Sequence, residues 1–154
     1  MLEVGTPAPD FTLKDQNNQA VRLSSYRDSS VVLLVFYPLA FTGTCGGEMA
    51  ALQEALPAFA AAGVEVLTVS VDSAYSHKIW QDRESWTMRM LADFWPHGAV
   101  AQSYGVFNDG KGYANRGTFL IDRAGVIRWA ECHEPSQSRD TTVWLAAVAS
   151  LDDS

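Results

Sequence analysis

Seven consecutive apolar residues, Val31 to Tyr37, form the strongest pattern in the chain, too short for a membrane helix and rich enough in β-branched residues to predict a buried central strand ended by Pro38. From Glu48 to Ala62 the apolar positions Met49, Leu52, Leu56 and Phe59 recur at steps of three and four, the mark of one helix face, and Gly63 closes that helix. Val64 to Val71 reads as a second strand, so this strand-helix-strand order predicts parallel pairing with a right-handed crossover. Upstream, Phe11 to Leu13 and Ala20 to Leu23 flank the turn residues Asp15 to Asn18 and predict a small N-terminal hairpin, with the main sheet starting later. Downstream, Ser73 to Trp86 predicts a second helix, capped by Ser73 or Ser76 with Ile79 facing inward. Met90 to Ala92 is a short strand and Pro96 to Tyr104 a short helical segment. Thr118 to Asp122 and Val126 to Glu131 make an antiparallel pair around Arg123-Ala124-Gly125. Thr141 to Leu151 closes the pattern as an amphipathic helix with Val143, Leu145, Val148 and Leu151 as expected core contacts.

A parallel βαβ half followed by an antiparallel pair and a terminal helix is the order of an α/β thioredoxin-like fold with an N-terminal β-hairpin extension. The chain has 154 residues, which predicts a single domain over 1–154. Hydrophobic residues make up 47% and charged residues 19%, a globular balance without low-complexity tracts. The net charge of −7 repels phosphate backbones and anionic lipid, so nucleic-acid and membrane-surface partners are not expected. Met1 to Gly5 lacks the basic and apolar regions of a secretion signal, and no apolar run reaches the roughly 20 residues of a membrane helix, which predicts a cytoplasmic protein.

The two cysteines, Cys45 and Cys132, form neither a CxxC pair nor a local zinc set, and a chain this size does not need a disulfide framework. Cys45 stands where the apolar strand ends and a helix begins near Thr44, so unpaired helix N–H groups and the positive dipole end point at its sulfur. An ordinary thiol near pKa ~8.5 is only a few per cent thiolate at neutral pH, and such a site favours the thiolate. Arg116 is the expected second source of positive charge, because the strand pair that follows it should return beside Val31 to Tyr37. Thr42, three residues before Cys45, places a hydroxyl within reach of the sulfur and of a substrate oxygen, while Pro38 shapes and shields the pocket. Glu48 reads as a carboxylate complementing the helix dipole, and Trp80 as a core aromatic that can also wall the pocket. Cys132, at the end of a strand, reads as a packed structural thiol. His77, His97 and His133 lack metal-ligand spacing, so no metal is expected.

Pro38, Thr42 and Cys45 spell PxxxTxxC, and with Ala8-Pro9-Asp10-Phe11, Val35-Phe36-Tyr37-Pro38, Asn115-Arg116-Gly117-Thr118-Phe119 and Ile121-Asp122-Arg123-Ala124-Gly125 the chain resembles the peroxiredoxins along nearly its whole length. Phe41, Gly43, Gly46, Gly47, Glu48, the stretch Asp93 to Gly98 and Val106-Phe107-Asn108 look most like the AhpE-like one-cysteine subgroup. The resemblance implies a thiol-dependent peroxidase acting on hydrogen peroxide, organic hydroperoxides and peroxynitrite, with Cys45 oxidised to sulfenic acid and no cofactor. It also implies a water-linked proton relay at Glu48, a dimer contact near Phe41 and Trp95, and recycling by mycoredoxin, thioredoxin or a low-molecular-weight thiol. Cys132 lacks the Val-Cys-Pro context of a resolving cysteine, which predicts a one-cysteine cycle. The alternatives are a thiol-disulfide oxidoreductase, against which the missing CxxC argues, and a peroxide-sensing redox protein whose Cys45 oxidises without turnover.

Overall fold

The computed structural model of the chain describes residues 1–151. In chain order its elements are β1 (Thr12–Lys14), β2 (Ala20–Arg22), β3 (Val31–Phe36), α1 (Gly43–Ala61), β4 (Val64–Ser70), α2 (Ala74–Glu84) and β5 (Arg89–Ala92). They continue with α3 (Ala99–Ser103), β6 (Phe107–Asn108), β7 (Tyr113–Ala114), β8 (Arg116–Ile121), β9 (Ile127–His133) and α4 (Thr142–Leu151). Seven strands share one sheet in the order β2-β1-β5-β4-β3-β8-β9, and β6 with β7 forms a separate small ribbon.

All six residues of β3 are buried because the strand is covered on both faces. Val31, Leu33 and Val35 point into a core built with Met49, Leu52 and Phe59 of α1 and Trp144 and Val148 of α4. Val32, Leu34 and Phe36 point the other way, against Phe11, Val100 and Tyr104. β3 pairs in parallel with β4, Val31 opposite Val64 through Phe36 opposite Val69, as the crossover requires. On its other side β3 runs antiparallel to β8, and the pairing of Val35 with Thr118 brings Arg116 level with Tyr37, at the foot of the turn into α1. That register is what delivers a cation to the Cys45 end of the sheet.

Three expectations need correction. The N-terminal hairpin is not separate from the main sheet: Lys14 pairs with Ala92, which adds β1 and β2 to the β5 edge. On α2 the inward residues are Ala74, His77, Trp80 and Gln81, while Ile79 is 56% exposed. Two of those inward residues are polar and hydrogen-bonded, His77 with Ser70 and Gln81 to the Met88 carbonyl, so apolar periodicity could not reveal the buried face. On α4 the core contact is Trp144, followed by Ala147 and Val148, and Val143 is 38% exposed. Of the expected contacts Val148 is in the core and Leu145 and Leu151 pack against it, whereas one position along a helix turns a side chain by about 100°, so Trp144 and not Val143 faces inward. The expected cap of α2 is present, with the Ser73 side chain accepting from the Ser76 N–H at 3.1 Å. Among the described residues no helix is long and apolar enough to cross a membrane.

Candidate active site

Helix α1 starts at Gly43, with Thr42 at its N-cap, so Cys45 sits in the first turn. Its side chain is fully buried, 0% exposed, against Tyr37, Ala40 and Trp80. Arg116 Nη1 donates to Cys45 Sγ at 3.3 Å, and Arg116 is itself buried. The guanidinium is held from its other edge by the Pro135 carbonyl, which accepts from Nε at 2.8 Å.

The same Nη1 donates to Glu48 Oε1 at 2.6 Å, and this contact overturns the helix-dipole reading of Glu48. Cys45, Glu48, Met49 and Leu52 lie three and four apart on the inward side of α1, and all are buried. A carboxylate on that stripe cannot be a solvated cap; it needs a buried partner. It has two. Arg139, which sequence reasoning missed, donates from its backbone N–H to Oε2 at 2.8 Å, from Nε to Oε2 at 2.9 Å and from Nη2 to Oε1 at 2.9 Å. Arg139 Nη1 reaches the Gly117 carbonyl and Thr118 Oγ1, and its guanidinium lies over the Trp144 ring at 5.5 Å. Arg139 sits in an aperiodic polar stretch, where an arginine looks solvated. The available signal was the inward phase of Glu48.

Burial alone would push the Glu48 carboxyl up, but the hydrogen bonds and charge of Arg139, followed by the charge of Arg116, outweigh it and hold the group below its ordinary range. The ionised carboxylate and two guanidiniums carry a net charge of +1, the complement of an anionic sulfur. The cluster therefore preorganises positive charge and N–H donors around Cys45.

Thr42 does not hydrogen-bond the sulfur here; its hydroxyl donates to the Leu39 carbonyl at 2.8 Å and braces the turn. Pro38 follows Tyr37 at the end of the β3 ladder. Phe41 is half exposed, its ring 5.7 Å from Trp80 and under the Arg83 guanidinium at 5.3 Å. Trp80 is buried, tilted against the Tyr37 ring and edge-to-face with Trp86. Beside α1, a groove of about 370 Å³ is lined by Phe41, Thr42, Gly43, Gly46, Trp80 and Arg83, so it meets the residues on either side of Cys45. Cys132 is exposed on the edge strand β9, which corrects its reading as a packed thiol. His97 contacts the Gly112 carbonyl and His133 contacts Glu131. Among the described residues no His, Cys, Asp and Glu side chains cluster for a metal.

A thiol at a helix start, gripped by a guanidinium at the end of a thioredoxin-like sheet, defines a thiol-based α/β oxidoreductase. The chain belongs to the AhpC/TSA family, whose family model matches residues 4–130. It is 53% identical over 151 residues to alkyl hydroperoxide reductase E of Mycobacterium tuberculosis, covering 98% of this chain and 99% of that protein. To rat peroxiredoxin-2 it is 39% identical over 135 residues, 81% of this chain and 67% of that one. The solved structure of the reduced Plasmodium vivax 2-Cys peroxiredoxin superimposes with a TM-score of 0.88 at 29% identity, covering 97% of this chain and 82% of the other. The protein is accordingly a peroxiredoxin, a thiol-dependent peroxidase.

Proposed function

We propose that Cys45 is the peroxidatic cysteine and that Arg116, Thr42 and Pro38 form its catalytic surroundings, with Glu48, Phe41 and Trp80 shaping the pocket. The observation that carries this reading is the 3.3 Å hydrogen bond from Arg116 to the sulfur, inside a buried cluster of net positive charge. The Cys45 thiolate attacks the terminal oxygen of a hydroperoxide; the S–O bond forms as the O–O bond breaks, and the leaving alkoxide or hydroxide takes a proton. The products are Cys45 sulfenic acid and an alcohol or water. Because the sulfur is covered, the peroxide enters from the groove at Thr42 and Gly46 as the Phe41 turn moves aside.

Hydrogen peroxide and organic hydroperoxides are the substrates, with peroxynitrite as a further oxidant. An external thiol then condenses with the sulfenic acid, releasing water, and a second thiol (mycoredoxin, thioredoxin or a small thiol) frees Cys45. The exposed position of Cys132, whose thiol is pushed up by local desolvation, supports a cycle that does not use it. The protein works in the cytoplasm as a single domain and as a homodimer or higher oligomer. Support for self-association comes from the exposed Phe41, Tyr75, Ile79, Phe94 and Trp95, the last 81% accessible, a set that suits an apolar interface.

Stopped-flow oxidation followed by sulfenic acid trapping tests the assignment. Cys45→Ser should abolish peroxide consumption and trapping, and undiminished consumption would refute the proposal. Analytical ultracentrifugation of Trp95→Arg should show dissociation relative to the unchanged chain; identical sedimentation removes that interface.

A further inference from the structure

The turn from β3 to α1 covers Cys45 and carries both Pro38 and Thr42. Within it Phe41 adopts φ 66°, a left-handed conformation that a residue with a bulky side chain keeps only when its surroundings hold it. Asp72, just past β4, supplies a hold on the backbone: the Ala40 N–H donates to Asp72 Oδ2 at 2.8 Å. Ala40 lies between Leu39, whose carbonyl takes the Thr42 hydroxyl, and Phe41. Moving Ala40 therefore moves Thr42.

Asp72 is in turn aimed from behind. Its Oδ2 also accepts the Ser70 hydroxyl at 2.6 Å, and Ser70 Oγ lies 2.7 Å from Nε2 of the buried His77. A hydroxyl has one proton, and Ser70 gives it to the carboxylate, so the imidazole must donate at Nε2. That leaves Nδ1 bare, which agrees with Nδ1 having no hydrogen-bond partner in its buried position. Burial holds the imidazole down to about 4, against the upward pulls of Asp72 and of the Met90 backbone beside the ring, so the ring is neutral at pH 7. These groups lie outside the cluster of Arg116, Glu48 and Arg139.

We infer that Asp72, oriented by Ser70 and His77, is a positioning residue for peroxide reduction: by holding the Ala40 N–H it keeps Pro38 and Thr42 in register with the Cys45 sulfur. The inference rests on the reading of Cys45 as the peroxidatic thiol. Asp72→Ala frees the strained turn, and a misplacement on the order of 1 Å at a reacting centre costs about 100-fold in rate. Asp72→Asn is the conservative counterpart. With its amide oxygen in the place of Oδ2, where Ala40 and Ser70 both bond, it still accepts from the Ala40 N–H and from the Ser70 hydroxyl, and the His77 proton stays on Nε2; with its NH₂ there instead, Ala40 loses its acceptor and Ser70 turns to donate to His77, moving that proton to Nδ1.

The experiment uses the full-length chain and measures three quantities: the second-order rate of Cys45 oxidation by hydrogen peroxide, the rate of Cys45 alkylation by iodoacetamide at pH 7, and the His77 tautomer by ¹⁵N NMR. Asp72→Ala should oxidise about 10- to 100-fold more slowly, while its alkylation is unchanged or faster because the cover is looser. Asp72→Asn should stay within about threefold of wild type in oxidation, with the His77 proton still on Nε2. Oxidation of Asp72→Ala within twofold of a fast wild type, or an equal fall in oxidation and alkylation, would overturn the inference. If Asp72→Ala does not fold, Asp72→Asn decides it: a near-wild-type rate with the proton unmoved, or a tenfold loss with the proton moved, supports the inference, and a near-wild-type rate with the proton moved, or a tenfold loss with it unmoved, overturns it. A wild-type Cys45 that reacts no faster than a free thiol defeats the peroxidatic reading itself, and that result is distinct from all the others.

Discussion

Replacing Arg139 by Met should be among the most damaging single changes available. The side chain is fully buried, and it answers both oxygens of Glu48 as well as the Gly117 carbonyl and Thr118 hydroxyl. Met fills much of the same space over Trp144 but leaves Glu48 with one cation where it had two. Removing one partner from a buried ionic cluster costs about 3–5 kcal/mol, because Arg116 remains on Oε1 but Glu48 Oε2, the Gly117 carbonyl and the Thr118 hydroxyl lose the guanidinium that faced them. For a chain of this length each kcal/mol lowers the melting temperature by roughly 2–4 °C, so the variant should melt about 6–20 °C lower. The pH dependence carries a sign as well. The Glu48 carboxyl titrates below its ordinary value of 4.5 in the folded chain, so its contribution is complete above that value and is lost as the pH falls through the depressed one. The stability gap between wild type and Arg139→Met should therefore be widest at neutral pH and shrink below about 4.5. Urea unfolding followed by tryptophan fluorescence at pH 7 and at pH 4 measures both effects. A variant within 1 kcal/mol of wild type at pH 7, or a gap that widens in acid, would refute the role given to the cluster.

Other outcomes follow from the same geometry. Arg116→Lys keeps the charge but cannot serve the Pro135 carbonyl, Glu48 and the Cys45 sulfur from one planar group, and the oxidation rate should fall at least ~100-fold in stopped flow; a loss under threefold would count against it. Burial holds the His77 imidazole down to about 4 from its ordinary 6.5, so between those values the unfolded chain binds a proton that the folded chain refuses. Stability should fall by about 3 kcal/mol as the pH drops through that window, and a flatter urea-derived profile for His77→Asn would establish the source; parallel profiles would exclude it. Cys132→Ser should leave peroxide turnover with an external thiol within twofold of wild type. An intramolecular Cys45–Cys132 disulfide in mass spectrometry would contradict this.

What could be read in advance tracks how local its cause is. The Val31 to Tyr37 strand and the Met49, Leu52 and Phe59 stripe were legible because burial on both faces, or on one helix face, writes itself directly into apolar spacing. The inward face of α2 was not, because His77 and Gln81 are buried polar residues satisfied by partners elsewhere in the chain. Trp144 was passed over for its neighbour Val143, since two apolar residues in succession leave the phase of a helix undetermined. At the site, the placement of Arg116 followed from strand order, whereas Arg139 reaches Glu48 across 91 positions and leaves no periodic trace. Pairings of that kind belong to tertiary structure alone.

The fixed cage of guanidiniums also governs how the enzyme wears out. A sulfur carried past sulfenic acid to the sulfinate is still an anion, and Arg116, locked by Glu48 and the Pro135 carbonyl, can hold it as readily as the starting thiolate. Excess oxidant should thus leave a population of molecules that are chemically dead yet folded, melting no lower than fresh protein.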